Sequence, residues 1–315
     1  MEGIRHCGGE GMAERGERMA DKFKAFLNNL RINNQELINR RFRELTRLYN
    51  QHYWHIISDT RNVHYLGSYG RETAIKGLSN INILLLLPAD LYRHYKAQPD
   101  GPKQLLEDVN KLTAQSFPQA YINADNCLLL PFPDQPTLEI IPGFIRKGKS
   151  LYYPEPTGEG GWGSFNPLRE IEVISEYNYL YGGKVKHLAR MTRAWKVKYQ
   201  VQMPGILIDT LVMNFMDDWE GKDTSFNYYS YMVRDFMEYL AGRRQEQLAW
   251  YAKGSNRKIH REEDFGAPAN GAFKVADRGL ICEEKGDMVN AVGCWREIFG
   301  ELFPGTGQGI AGVSE

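Results

Sequence analysis

One strand-like segment narrows the possible folds more than anything else in the chain. Asn80-Ile81-Asn82 leads straight into the aliphatic run Ile83 to Leu87, which Pro88 closes. Such a run is far too short to cross a bilayer, and bounded by proline it reads as a buried strand in a sheet with helices packed on it. Side chains alternate along a strand, so Asn80 and Asn82 project from one face. Upstream, Gly67-Ser68 supplies a turn into a helix, with eleven residues separating Ser68 from Asn80.

A Gly-Ser turn entering a helix exposes backbone N–H groups and a hydroxyl, which suits phosphate oxygens. Two acids at positions i and i+2 of the next strand would bridge a pair of Mg²⁺ ions and align an attacking hydroxyl with a departing pyrophosphate. Here both positions carry asparagine, which keeps the size and polarity of aspartate but not its charge. At about 4 Å and an effective dielectric near ~20, each lost carboxylate removes about 8 kcal/mol of gross attraction to a divalent ion. The shape of the site survives, and its affinity for magnesium is expected to be weak or absent.

The 315 residues suffice for two domains or one large one. Lysine plus arginine and aspartate plus glutamate both number 39, giving a formal net charge of zero. No global basic field exists to recruit a long nucleic acid, so free nucleotides suit the chain better than polymers. The N-terminus is polar and unlike a signal sequence, and no membrane is expected, so the reading is cytoplasmic. Cys7, Cys127, Cys282 and Cys294 form no C-x-x-C pair, and the histidines show no metal-ligand spacing. Zinc sites and structural disulfides are therefore not expected, and the cysteines are given no role.

Glycines among charges leave residues 1–18 without periodicity and expected to be disordered. Phe23, Phe26, Leu27 and Leu30 form one helical stripe, and Ile38, Phe42, Leu45 and Tyr49 another. A helix is expected over Lys103 to Gln115. Strands are expected at Tyr121 to Ala124, Cys127 to Leu130 and Thr137 to Ile141, with Pro133-Asp134-Gln135-Pro136 as a turn. Tyr153 to Pro167 reads as a Pro- and Gly-rich connector. Three later apolar faces, around Leu188 to Trp195, Ile206 to Met213 and Tyr231 to Leu240, are helical. The expected organisation is an extension at 1–18, a core at 19–165, a helical domain at 166–304 and a flexible tail at 305–315.

Three segments, Gly67 to Ile75, Leu138-Glu139-Ile140-Ile141-Pro142 and Arg193-Ala194-Trp195-Lys196, together resemble the bacterial cGAS/DncV-like nucleotidyltransferases (CD-NTases). The likeness continues through Gly205 to Leu211, Tyr228 to Tyr231, Gly254-Ser255 and Trp295 to Gly300, covering the chain from about Lys22 to Pro304. It implies an α+β fold: a polymerase-β-like nucleotidyltransferase core with a mixed sheet, plus a C-terminal helical domain. It also implies a cyclic di- or trinucleotide synthase of anti-phage signalling, joining nucleoside triphosphates with release of pyrophosphate.

In the family pattern the strand begins Asp-Ile-Asp, so the departure falls on Asn80 and Asn82, while Glu139 fills the slot of the third metal-binding acid. Two isosteric changes amid an otherwise intact motif read as deliberate inactivation of a synthase that would hold two Mg²⁺. The alternative is a natural pseudoenzyme that binds nucleotides or proteins without turnover. By the same resemblance, Gly67 and Ser68 cradle triphosphate, Arg193 and Lys196 supply cations to it or form a solvated helix face, Tyr229 and Ser230 border the nucleotide or belong to aromatic core packing, and Gly254-Ser255 forms a lid or a plain loop. The implied partners are ATP, GTP or pyrimidine triphosphates, with a C-terminal conjugation partner or an operon-encoded regulator.

Overall fold

The computed structural model describes residues 9–145, 150–155, 161–223 and 225–306. The chain begins with helices α1 (Gly9–Asn29) and α2 (Gln35–Tyr49), a π-helical turn at Asn50–Trp54, strand β1 (Val63–Tyr65) and the one-turn helix α3 (Gly67–Gly70). Next come β2 (Asn80–Leu86), α4 (Ala89–Lys96), α5 (Gly101–Ser116), β3 (Tyr121–Ile122), β4 (Leu128–Phe132), β5 (Gln135–Ile145), β6 (Leu151–Pro154) and β7 (Trp162–Phe165). Helices α6 (Pro167–Leu180), α7 (Lys184–Lys198), α8 (Gly205–Asp218) and α9 (Tyr229–Ala241) follow. The hairpin β8 (Ala249–Tyr251) and β9 (Lys258–His260) and helices α10 (Gly266–Glu284) and α11 (Met288–Phe299) complete the order. Among the described residues no helix is long and apolar enough to cross a membrane.

These elements gather into two compact units. One comprises Ile32–Ser175 with Lys253–Arg257, and the other Met1–Arg31, Glu176–Ala252 and Lys258–Glu315. The first unit is built on a mixed sheet of order β1-β2-β5-β4-β3, with β6 and β7 added beyond the end of β5. Among the described residues only β2 and β5 pair in parallel; β1 against β2 and β4 against β5 are antiparallel. Ile81, Ile83 and Leu85 turn to one face, where Leu138, Ile140, Leu128 and Leu130 meet Ile38, Leu45 and Tyr49 of α2 and Leu105 and Val109 of α5. Leu84 turns to the other face and joins Leu66 and Leu151, with Leu168 and Ile171 of α6 packed alongside. Both faces are covered, which is why β2 is aliphatic throughout after Asn82.

The helical unit is completed by the N-terminal helix. Phe23 and Phe26 of α1 are fully buried, and their rings lie 4.6–5.3 Å from those of Trp295, Phe299 and Phe303. Lys22 Nζ donates to the Gly305 carbonyl at 2.7 Å and Asn29 Nδ2 to that of Leu302 at 2.9 Å. Sequence order had grouped α1 with the nucleotidyltransferase core; contact places it with the C-terminal helices. A stripe of apolar residues shows that a helix is buried without showing against what. Helical backbone starts at Gly9, upstream of the expected Met19, while residues 1–8 and the tail 307–315 lie outside the described residues. The expected connector carries the antiparallel pair β6–β7, in which Gly163 packs under the Tyr153 ring.

Helices α9, α10 and α11 meet at one carboxylate. Glu283 accepts from Ser230 Oγ at 3.1 Å and from Trp295 Nε1 at 2.8 Å, and burial pushes its pKa from 4.5 up to about 7. An unfolded glutamate loses its proton near 4.5, whereas the folded chain keeps this one to about 7. The contribution to stability is therefore full below 4.5 and is lost as pH rises through 7. Thermal melts of the parent and of Glu283→Gln at pH values from 4.5 to 7.5 should show the parent losing stability relative to the variant. The loss should be on the order of 3 kcal/mol, nearly all of it below pH 7.5.

Candidate active site

The Gly-Ser turn is held to β2 by backbone. Leu66 N–H donates to the Asn82 carbonyl at 2.7 Å, and Thr73 and Ala74 N–H both donate to the Ser68 carbonyl, at 2.9 and 3.0 Å. Gly67 sits at φ +62°, and a Cβ there would lie 3.2 Å from Asn82 Oδ1, so glycine is what lets the carboxamide rest against the turn. Gly70 is more constrained still: a Cβ would come within 2.3 Å of the Tyr65 carbonyl oxygen. In the parallel ladder Asn82 is level with Glu139 and Asn80 with Thr137. Gly67, Asn80, Asn82 and Glu139 thus gather at one sheet face, with Asn80 exposed and Asn82 and Glu139 half-buried.

Burial raises the pKa of Glu139, partly offset by a hydrogen bond from the Cys127 thiol. Cys127 is a member of this constellation that sequence reasoning left without a role. Its place follows from the β4–β5 register, in which Leu129 opposes Glu139, and nothing in the spacing of cysteines signals it. The donor set does not fit the two magnesium ions that the resemblance implies. Asn80 and Asn82 offer neutral carboxamides, and Mg²⁺ binds through anionic oxygens held in near-octahedral geometry. Among the described residues, no three His, Cys, Asp or Glu side chains converge into a metal-holding group.

Behind the turn lies a second node that the sequence did not reveal. Glu170 of α6 is buried and meets Arg71 Nη1 at 3.5 Å, Ser255 Oγ at 2.6 Å and Arg257 Nε at 3.4 Å. Arg71 follows directly on α3, and its backbone N–H donates to the Gly67 carbonyl at 3.0 Å. Gly254 has φ +98°, and a Cβ there would lie 2.6 Å from the Arg169 carbonyl oxygen. The expected lid Gly254-Ser255 is therefore seated on α6. Glutamate at 170 sits far from the motif in sequence, so only the fold brings it there.

The helical unit uses several expected ligand groups internally. Arg193 donates to both Asp209 oxygens at 2.7 and 3.0 Å and to the carbonyls of Ala189 and Gly205. Its guanidinium, expected to meet triphosphate, is committed to a buried pair between α7 and α8. The ring face of Tyr229, expected to stack on a purine, is taken by Phe226 at 3.8 Å, and its hydroxyl bonds to His187 Nδ1 at 2.7 Å. Ser230 is engaged by Glu283 as described. In this structure all three are buried and join helices of the unit, and for Tyr229 this is the aromatic core packing that the sequence offered beside a nucleotide contact. Lys196 is half-buried, with Nζ donating to the Met203 carbonyl at 2.7 Å.

The family model of the Second Messenger Oligonucleotide or Dinucleotide Synthetase domain matches residues 18–178, just over half of the chain. The chain belongs to that synthetase family. A probable cyclic nucleotide synthase of Bacillus cereus (strain VD146) is 26% identical over 177 residues, covering 53% of this chain and 51% of that protein. The chain thus spans about half the length of the curated relative it matches. Among solved structures, E. coli MS115-1 CdnC in complex with HORMA-deltaN has a TM-score of 0.62 at 14% identity, covering 90% of this chain and 98% of CdnC. Vibrio cholerae DncV cyclic AMP-GMP synthase, a prokaryotic cGAS homolog, has a TM-score of 0.59 at 12% identity, covering 95% and 92%. The fold is that of the polymerase-β-like nucleotidyltransferases, and the chain is a cGAS/DncV-like member of the synthetase family.

Removing the carboxylate behind the turn should be costly, because it takes the counter-charge from a buried guanidinium. Glu170→Ala is expected to lose about 3 kcal/mol in urea unfolding, and Ser255→Ala about 1 kcal/mol. Equal, negligible losses in both variants would show that Glu170 is not a load on the fold.

Proposed function

We propose that the chain is a nucleoside-triphosphate-binding synthetase-family protein in which the joining of nucleotides is silenced at Asn80 and Asn82. The observation that carries this reading is positional. Asn82 stands against the Gly-Ser turn and level with Glu139, and Asn80 lies two residues earlier on the same strand face, level with Thr137; these are the positions where the resemblance implies aspartates. A family member with those acids would join a ribose hydroxyl of one triphosphate to the α-phosphate of another, release pyrophosphate and repeat to close a ring. In this chain the scaffold for holding triphosphate remains while the charge for turnover is gone.

The ligands in this reading are ATP, GTP or pyrimidine triphosphates, held at Gly67 and Ser68, with Lys196 as a candidate cation of the helical unit. A role in anti-phage signalling from the cytoplasm follows from the family resemblance. A protein regulator is supported by the HORMA-deltaN complex of E. coli CdnC, and the tail 305–315 is a candidate conjugation site. A genomic sequence with aspartate at both positions would make this an inactivated synthase; asparagine at both would make it a natural pseudoenzyme.

Reversion tests the proposal. The chain as it stands should give no detectable product from radiolabelled triphosphates with Mg²⁺ or Mn²⁺ on thin-layer chromatography. Asn80→Asp with Asn82→Asp should create synthase activity, and either change alone should do little, since the two groups act on one charge cluster. A folded double revertant that stays silent with metal present would overturn the enzymatic ancestry of the site.

A further inference from the structure

We infer that Asn80 and Asn82 make this face a metal-independent triphosphate site, which takes the free nucleotide anion through carboxamide N–H donors. The inference rests on the nucleotide-binding reading above and specifies the form of the ligand. Replacing two aspartates changes the formal charge of the three residues from −3 (Asp, Asp, Glu) to −1 (Asn, Asn, Glu139). Three acids repel a polyphosphate, and a divalent cation must stand between them. With one acid left, the repulsion falls and the replacements become donors, since each carboxamide carries two N–H groups where a carboxylate only accepts.

The surroundings favour the anion as well. Asn82 rests against Gly67 at the turn, and Asn80, two residues earlier, is exposed on the same strand face. Behind that turn, the guanidinium groups of Arg71 and Arg257 both reach Glu170. Magnesium in solution binds the triphosphate and neutralises part of the charge that these donors recognise. The cation therefore competes with the site, the reverse of its role where carboxylates line the strand.

Calorimetry with ATP, GTP and inorganic tripolyphosphate, in EDTA and in millimolar MgCl₂ at constant ionic strength, tests the inference. The chain should bind ATP or GTP in EDTA at least as tightly as in magnesium, and tripolyphosphate should compete in EDTA. The Asn80→Asp, Asn82→Asp double variant should reverse this, binding about tenfold or more weakly in EDTA than in magnesium. Asn80→Ala, at an exposed position, should weaken binding in EDTA by about tenfold. If the chain needs magnesium as the double variant does, or binds nothing in EDTA while the double variant binds in magnesium, the inference fails and the nucleotide reading stands. If neither protein binds a triphosphate in either buffer, both fail together.

Discussion

The parallel pairing of β2 with β5 is the contact from which the rest of the candidate site follows. It buries Ile81, Ile83 and Leu85 against α2 and α5, and Leu84 against the α6 side. The same register that satisfies this two-sided burial sets Asn82 level with Glu139. A slip of one residue would send the carboxamides into the apolar core and the aliphatics to the site, so hydrophobic burial enforces the polar geometry. The Gly-Ser turn then has one place to go, tied to β2 by the Leu66–Asn82 backbone bond and given room by Gly67.

In each unit, buried charge sits at joints between elements. Glu170 gathers Arg71, Ser255 and Arg257 behind the turn; Arg193 and Asp209 link α7 to α8; Glu283 ties α9 to α11. Each is a desolvated group with named partners, the condition under which such groups persist in a low-dielectric interior. Asn80 and Asn82 differ from these joints in kind. They sit at the surface end of a buried strand, and their chemistry concerns what approaches from solvent.

Periodicity and turn chemistry carry over well from sequence wherever the determinant is local. The β2 strand, the α5 helix and the later helical faces all depend on neighbours within a few residues, whereas the expected turn Pro133-Asp134-Gln135-Pro136 is confined to Pro133-Asp134, with Gln135 and Pro136 opening β5. What required the structure depends on partners distant in the chain. Phe23 and Phe26 announce a buried helix face, yet their partners Trp295 and Phe299 lie at the other end of the sequence. Arg193 looks like a phosphate ligand on a helix because Asp209, which absorbs its charge, belongs to the next helix. His187 and Glu283, the hydrogen-bond partners of Tyr229 and Ser230, also lie on other helices, and Cys127 comes to the site only through strand register. The β6–β7 pair was hidden by the Pro and Gly content of its surroundings, which reads as loop.

The central claim is that neutral carboxamides, and no metal, face the nucleotide. It is tested most directly by a crystal structure of the ATP complex grown with manganese, using anomalous scattering to locate the cation. The account predicts phosphate oxygens within about 3 Å of the Asn80 and Asn82 side-chain amides and no manganese at Glu139. A manganese ion bridging Glu139 and a phosphate oxygen would contradict it.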